Sequence, residues 1–450
     1  MKPVFAGRTQ NHYDAAQSSR SQAIIGAIVI LLVYQGYSLS IAGVAAPWIA
    51  KSFALDEAAL ARLFAWMSVS AIGALLLARM ADRVGRRRII LFSLLTTSLC
   101  AFGAASAPTS IVFAIFQIAI SALLAGSVSS AIVLLAEELP VNQRARGQAF
   151  AAFASAIGGM LTYILIPFLL EAGYSWRWLL APSTAGLLMV IPVSRMLPIE
   201  SRWAQISASN VARESHIFDV LHPLYRRRAS VLLTCAALDT MAGTAVNGWL
   251  YFDSVSIIGL SPQKASTLVV AGMAIGTLGF PLGAWTSERF GRLPTVMYVG
   301  GAAWLGALAF YSGPSLSLRW PFMFLLTAYS WFKMASGVMT VGANSAATEL
   351  FPASLRATMI GCQGITAAVF SMFAQVLIAA LIGPMGGLTN VIRYFALLGI
   401  PSAVLFGVFI DETRGISLDI AAREQEWAIA QREQSRHKAE SVRAENNPGR

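Results

Sequence analysis

The 450-residue chain is 56% hydrophobic and only 12% charged, a composition that excludes an ordinary soluble domain. It contains roughly a dozen apolar runs of about 20 residues, each long enough to cross the hydrocarbon core of a bilayer. The three cysteines all lie in apolar runs, so no disulfide framework is predicted, and the polar first 21 residues do not resemble a cleavable signal peptide.

The net charge of +11 would suggest a nucleic-acid partner if the basic residues were clustered on a soluble face. Instead, most Lys and Arg residues fall in the tails or in loops on one side of the predicted membrane. Lys333 lies inside a span, and the basic residues on the other side are Lys51, Arg62, Arg177, Lys264, Arg319 and Arg393. Because basic loops accumulate in the cytoplasm, the asymmetry predicts a multi-pass cell-membrane protein with both termini cytoplasmic and no nucleic-acid partner.

Span 1, predicted at residues 22–48, has a polar and aromatic middle, Tyr34-Gln35-Gly36-Tyr37-Ser38. Polar groups at membrane depth normally face a bundle interior or a water-filled cavity. Two interpretations stay open at this point. The side chains of Tyr34, Gln35 and Tyr37 line a substrate cavity, or the small residues of this stretch pack against a neighbouring helix.

The loop after span 2 reads Ala78-Arg79-Met80-Ala81-Asp82-Arg83-Val84-Gly85-Arg86-Arg87-Arg88. Gly85 suits a tight reversal because it has no Cβ, and the arginines suit the anionic headgroups. About two hundred residues later, Ser287-Glu288-Arg289-Phe290-Gly291-Arg292 repeats the order of acid, Arg, Gly and Arg between apolar runs. Internal repeats of this kind are typical of secondary transporters.

This loop resembles the signature that the major facilitator superfamily carries between spans 2 and 3, although Ala78 and Glu288 depart from it. The segments 137–147 and 348–358 each contain an acid, a proline and an arginine, and they resemble the family's second cytoplasmic signature. The resemblance implies an all-α membrane protein with twelve transmembrane helices in two pseudo-symmetric six-helix bundles. It also implies a gating motif made of Asp82, Arg83, Gly85, Arg86, Glu288, Arg289, Gly291, Arg292, Glu138, Arg146, Glu349 and Arg356.

The predicted organisation follows from this repeat. Residues 1–21 form a cytoplasmic tail, 22–201 the N-terminal six-helix bundle, 202–228 a cytoplasmic central loop, 229–411 the C-terminal bundle, and 412–450 a charged cytoplasmic tail. Segments 197–203 and 411–415 resemble motifs of sugar porters and their organic-ion relatives. Span 7 retains Gly243 but lacks the amides with which sugar porters hold a hexose, so a hexose substrate is disfavoured.

Span 1 is similar to that of the aromatic-acid/proton symporters of the superfamily, yet it lacks both of their acids. A proton step therefore needs another carboxylate or is absent. Asp239 in span 7 and Lys333 in span 10 lie about 15 Å and 18 Å from their helix starts, so both reach the midplane. The further candidates for substrate binding or coupling are Tyr329, Trp331, Gln117, Ser121, Asn247, Tyr34, Gln35 and Tyr37.

The favoured function is secondary active transport of a small organic ion, in particular an organic or aromatic carboxylate, by alternating access. In this hypothesis Lys333 receives the anion, and Asp239 either balances the lysine or takes up a coupling proton. The alternatives are a structural Asp239–Lys333 ion pair, an uncoupled facilitator or exporter of a neutral or cationic metabolite, and a multispan sensor or enzyme. None of the four histidines lies in a span, and no catalytic constellation, cofactor motif or metal site is predicted, so we expect a monomeric non-enzyme.

Overall fold

The computed structural model describes residues 6–138, 141–198, 220–315, 321–416, 420 and 422. These residues are almost entirely helical and include no β-strand. The helices before residue 200 are Ala6–Ser52, Glu57–Met67, Ser70–Val84, Arg86–Ala105, Ser110–Glu138, Val141–Glu171, the 3-10 helix Trp176–Leu180, Ala181–Thr184 and Gly186–Met196.

The later helices follow the same order with more irregular turns. They are Arg226–Phe252 with π-helical Asp253–Ile257, Pro262–Gly276, Gly279–Phe290, Arg292–Pro294 with π-helical Thr295–Gly300, Gly301–Ser312 with 3-10 Gly313–Ser315, Pro321–Glu349, Ala353–Leu381, Leu388–Leu397 and Gly399–Phe409.

Eleven segments of the described chain are long and apolar enough to cross a bilayer. The other long helix, Pro321–Glu349, is less apolar because it contains Tyr329, Ser330 and Lys333, but its 29 residues extend about 43 Å. The all-helical fold with the predicted succession of spans is therefore confirmed, and we number the twelve crossing segments 1 to 12 in chain order.

The two loops that carry the repeated motif reverse in the same way. Gly85 ends span 2 with φ 103°, and Gly291 ends span 8 with φ 108°. Residues with a Cβ rarely adopt such a backbone conformation, so both reversals require glycine. The chain repeat seen in the sequence is thus also a repeat of backbone geometry.

The described residues group into two compact units. Of the described residues, unit 1 contains those up to 198 together with 247–273 and 371–391, and unit 2 contains those in 220–246, in 274–370 and from 392 onward. Since unit 1 takes in parts of spans 7, 8, 11 and 12, the bundle boundaries predicted above stay a prediction.

Aromatic side chains hold unit 1 together at the end of the helices where span 1 finishes at Ser52, which we call the distal end. The fully buried Trp249 ring packs 5.2 Å from the Phe64 ring, and its indole N–H donates to Gln375 Oε1 at 3.2 Å. Tyr251 lies between the rings of Trp48 and Tyr163, at 6.1 Å and 5.4 Å. These contacts attach the distal ends of spans 7 and 11 to spans 1, 2 and 5.

Candidate functional site

In the polar middle of span 1, the hydroxyl groups of Tyr34 and Tyr37 form hydrogen bonds with neighbouring helices of unit 1. The Tyr34 hydroxyl donates to the Ser183 carbonyl oxygen at 2.7 Å and lies 3.1 Å from Ser98 Oγ. The Tyr37 hydroxyl donates to the Leu179 carbonyl oxygen at 2.8 Å. Both tyrosines are buried and face span 6, so their geometry favours the packing interpretation over a direct contact with substrate.

The same stretch forms a close helix crossing. A Cβ on Gly36 would lie 2.0 Å from the Ser155 carbonyl oxygen, and one on Gly158 would lie 2.1 Å from the Val33 carbonyl oxygen. Reciprocal glycines of this kind allow the backbones of spans 1 and 5 to touch. Gly36 and Gly158 therefore set the short distance between spans 1 and 5 at this crossing.

Two amides of unit 1 keep polar atoms available. Gln35 Oε1 and Gln117 Nε2 are buried, and neither has a hydrogen-bond partner among the described residues. Ser121, one turn beyond Gln117, is half-buried. Since an unsatisfied buried polar atom is costly, these amides are the strongest candidates in unit 1 for contact with a bound ligand or water.

In unit 2, Asp239 borders a small cavity of about 110 Å³. The cavity is lined by Leu232, Cys235, Ala236, Asp239, Val296, Met339, Ala343, Asn344, Gln363, Ser402 and Phe406. Asp239 Oδ1 is buried and has no hydrogen-bond partner within the described ranges. The side chains of Ser402 and Trp304 lie close to this carboxylate, while the Ser402 hydroxyl itself donates to the Cys235 carbonyl oxygen at 3.2 Å. A carboxylate with an unsatisfied oxygen beside a cavity that also holds Asn344 and Gln363 can take up a proton.

Lys333 lies nearer the start of span 10 and does not line this cavity. It is half-buried, and a Cβ on Gly276 of span 8 would lie 2.9 Å from Lys333 Cβ. Lys333 is not among the residues that line the Asp239 cavity, although Met339, Ala343 and Asn344 of the same helix are. The cavity beside Asp239 therefore does not include the Lys333 side chain.

The aromatic neighbours of Lys333 face span 9. The Trp331 indole N–H donates to the Ala302 carbonyl oxygen at 2.9 Å. Tyr329 is buried, with its ring 6.0 Å from that of Phe310. Asn247, two turns beyond Asp239 in span 7, is exposed and belongs to unit 1. Of these candidates, Lys333 and Asp239 are the ones whose side chains ionise as a base and as an acid.

The second copy of the gating motif forms a connected network in unit 2. Arg292 Nη2 lies 3.0 Å from Glu349 Oε1, which joins the span 8–9 loop to the end of span 10. The Glu412 carboxylate accepts hydrogen bonds from the backbone N–H groups of Arg292 and Leu293, at 3.0 Å each. Thr413 Oγ1 donates to Glu349 Oε2. The segment after span 12 thus caps the start of span 9.

The other residues of this copy take different positions. Arg356 Nε donates to the Phe351 carbonyl oxygen at 2.9 Å, which closes the turn after span 10. Glu288 is exposed, and the Arg289 guanidinium lies 5.5 Å from the centre of the Trp285 ring. Sequence reasoning missed the contribution of Glu412, although the absence of a capping side chain at Gly291 could have indicated that a partner was needed.

In the first copy, Arg83 is exposed and Arg86 is half-buried. Arg87 Nη2 donates to the Ser194 carbonyl oxygen at 2.8 Å, which joins span 3 to span 6. The side chains of Asp82, Glu138 and Arg146 lie outside the described residues. Within the described ranges, no three His, Cys, Asp or Glu side chains converge as a metal site would require.

A sequence profile of the Major Facilitator Superfamily matches residues 27–374, which is most of the chain. Together with the twelve crossing helices and the repeated loops, this match shows that the chain belongs to the Major Facilitator Superfamily. It is therefore a multi-pass membrane transporter and not an enzyme.

Curated relatives and solved structures agree with this assignment. The gentisate transporter of Corynebacterium glutamicum is 24% identical over 344 residues, which cover 73% of this chain and 74% of that one. The gallate transporter of Pseudomonas putida is 26% identical over 365 residues, covering 73% and 78%. The crystal structure of a D-xylose–proton symporter superposes with a TM-score of 0.69 at 20% identity, covering 88% of this chain and 99% of that one, so the fold is shared.

Proposed function

We propose that this chain moves a small organic anion, in particular an aromatic carboxylate, across the cell membrane by alternating access. The observation that carries the proposal is Lys333, a half-buried base near the middle of span 10 whose ammonium suits a carboxylate. A charge at membrane depth costs about 2.5–3.5 kcal/mol on insertion scales, so it is retained where it pairs or faces water. The relatives named for gentisate and gallate support the substrate class, since both compounds are aromatic carboxylates.

Coupling to a proton would use Asp239. Its Oδ1 atom lacks a hydrogen-bond partner among the described residues, and it faces a cavity that also holds Asn344 and Gln363. Span 1 contains neither acid of the aromatic-acid/proton symporters, so Asp239 is the carboxylate available at mid-depth. Because Lys333 does not line the Asp239 cavity, protonation and anion binding would act at two places rather than through one ion pair.

The gating motif would control access to the substrate. The Arg292–Glu349 contact and the Glu412 cap connect spans 8, 9, 10 and 12 within unit 2. Asp82 and Arg86 would have the matching role in the first copy of the motif. Neutralising Asp82 should slow transport without removing substrate binding.

Uptake into proteoliposomes tests the proposal directly. Purified protein should accumulate radiolabelled gentisate, gallate or benzoate, but not xylose or an organic amine, when an inward proton gradient is imposed. Equal uptake with and without the gradient would indicate an uncoupled facilitator. Uptake of the amine or the sugar in preference to every carboxylate would overturn the assigned substrate class.

The orientation is tested separately, because the charge asymmetry alone supports it. A cysteine introduced at Arg8 or Arg432 should react with an impermeant maleimide only after cells are permeabilised. Labelling of either position in intact cells would contradict cytoplasmic termini.

A further inference from the structure

A groove of about 470 Å³ opens on unit 1 between span 2 and the distal part of span 11, and nothing in the transport proposal uses it. Its volume falls within the range of roughly 300–1,000 Å³ that is usual for ligand pockets. It is lined by Arg62, Ala65, Trp66, Val69, Met372, Val376, Ala379 and Ala380. Apart from Arg62, every lining side chain is apolar or aromatic.

The lining residues form one stripe on each helix. Those of span 2 run from Arg62 to Val69, and those of span 11 run from Met372 to Ala380, with spacings of three to four residues. Arg62 lies five residues inside the start of Glu57–Met67, about 7.5 Å along the axis. Ala380 is next to the last residue of Ala353–Leu381. The groove therefore has a charged end near the distal helix ends and an apolar floor that runs toward the middle of the spans.

Arg62 has no hydrogen bond or ion pair to any other described residue. The carboxylate of Glu57 on the same helix instead accepts the Leu388 backbone N–H at 3.2 Å. A guanidinium that lies about one and a half turns inside a transmembrane helix is close to the boundary between headgroups and acyl chains. At that depth the available anion with matching bidentate geometry is a phosphate.

The rest of the groove suits an acyl chain. Trp66 is 68% exposed and Val376 is 50% exposed, so both present apolar surface to the bilayer. Tryptophan is common at the level where headgroups meet hydrocarbon, because its ring has an apolar body and a polar N–H. A soluble anion would satisfy Arg62 but would leave the apolar stripe uncovered.

We propose that this groove is a binding site for one anionic phospholipid. The phosphate oxygens accept hydrogen bonds from the Arg62 guanidinium, and one acyl chain lies along Trp66, Val69, Met372 and Val376. The occupant joins span 2 to the part of span 11 that belongs to the same unit. The site is distinct from Asp239 and Lys333, which lie in unit 2.

Native mass spectrometry of the full-length protein in detergent tests the site, with dioleoylphosphatidylglycerol and dioleoylphosphatidylcholine as probes. Wild-type protein should retain the anionic lipid in preference to the zwitterionic one. Arg62→Gln should weaken retention of the anionic lipid about tenfold, as expected for loss of a charge-assisted hydrogen bond. Lys264→Gln is the matched control, since Lys264 is another exposed basic residue near the distal end and does not line the groove.

A second variant tests the acyl chain independently of the charge. Ala379→Trp fills the groove but leaves Arg62 intact, and it should also lower retention of phosphatidylglycerol. This variant decides the matter if Arg62→Gln does not fold. Wild-type retention in either folded variant, equal retention of the two lipids by the wild-type chain, or a dimer that dissociates in Arg62→Gln would overturn the proposal.

Discussion

The Arg292 guanidinium and the Glu349 carboxylate lie 3.0 Å apart, and each has less than a fifth of its side chain exposed. Arg292 belongs to the repeated loop between spans 8 and 9, and Glu349 is the last residue of span 10. Glu349 also accepts a hydrogen bond from Thr413, so a single carboxylate connects three segments that are distant in sequence. The second copy of the repeated sequence motif thus takes part in an ion pair that connects helix ends within unit 2.

Replacing Glu349 by Gln should destabilise the protein by about 1–3 kcal/mol, because the partly buried Arg292 loses a charged acceptor. Thermal unfolding in detergent measures the loss. Glu288→Gln is the control, since Glu288 is an exposed acid of the same motif and should leave the unfolding temperature unchanged. Equal stability of Glu349→Gln and wild type would mean that the contact contributes nothing measurable.

The Glu412 cap gives a second prediction. Glu412→Ala removes the acceptor for the N–H groups of Arg292 and Leu293 at the start of span 9, and a lost helix cap typically costs about 0.5–2 kcal/mol. We expect faster amide exchange at residues 292–295 than in the rest of span 9, measured by hydrogen–deuterium exchange. Arg414→Ala, a change two residues away in an exposed side chain, should leave this exchange unaltered.

The close crossing of spans 1 and 5 gives a third prediction. In Gly158→Ala, the added Cβ would lie 2.1 Å from the Val33 carbonyl oxygen, so the two backbones must separate. We expect lower membrane abundance and a lower unfolding temperature, measured by fluorescence size-exclusion chromatography after heating. Gly361→Ala is the control, since a Cβ at Gly361 meets open space. If both variants behave alike, the crossing is more compliant than its geometry indicates.

Much of the architecture could be predicted because it depends on periodic or repeated properties of the sequence. Apolar run lengths predicted the spans, and the repeated acid-Arg-Gly-Arg order predicted the two loops in which Gly85 and Gly291 adopt the same positive φ. The expected depths of Asp239 and Lys333 rest on a constant helical rise and stay a prediction. Span lengths, loop conformations and positions along a helix each depend on the sequence of a single segment, so they can be predicted without knowing which helices are neighbours.

The directions of side chains could not be predicted in the same way, because they depend on which helix lies opposite. Tyr34 and Tyr37 satisfy the rule that polar groups face inward, yet they donate to carbonyl oxygens of span 6. Asp239 and Lys333 are expected at similar depths, yet Asp239 lies beside Ser402 and Trp304, whereas Lys333 packs near Gly276. The Glu412 cap joins residues 120 positions apart, and no local pattern specifies such a contact.

A fourth prediction concerns coupling. Asp239→Asn keeps the size of the side chain but removes its ability to exchange a proton. If Asp239 is the coupling site, this variant should still exchange labelled for unlabelled carboxylate, but it should no longer accumulate substrate when a pH gradient is imposed. Parallel measurements of counterflow and gradient-driven uptake separate the two steps.

Asn344→Ala is a useful comparison, because it alters the same cavity without touching the carboxylate. Gradient-driven accumulation by Asp239→Asn at the wild-type level would exclude Asp239 as the proton site.

The last prediction concerns the anion. Lys333→Gln removes the positive charge at the middle of span 10 while keeping a side chain that can still donate hydrogen bonds. Loss of a charge-assisted contact in a partly desolvated site should weaken carboxylate binding by at least about tenfold, corresponding to roughly 1.4 kcal/mol. Binding of labelled gentisate to purified protein, measured by scintillation proximity, reports this step without transport. Lys333→Arg should retain part of the affinity, because it restores the charge with a different shape.

Trp331→Phe is the matched control, since Trp331 is two residues away and its indole donates to the Ala302 carbonyl oxygen. Wild-type affinity in Lys333→Gln would place the anion elsewhere, and the buried amides of Gln35 and Gln117 in unit 1 would then become the first positions to replace.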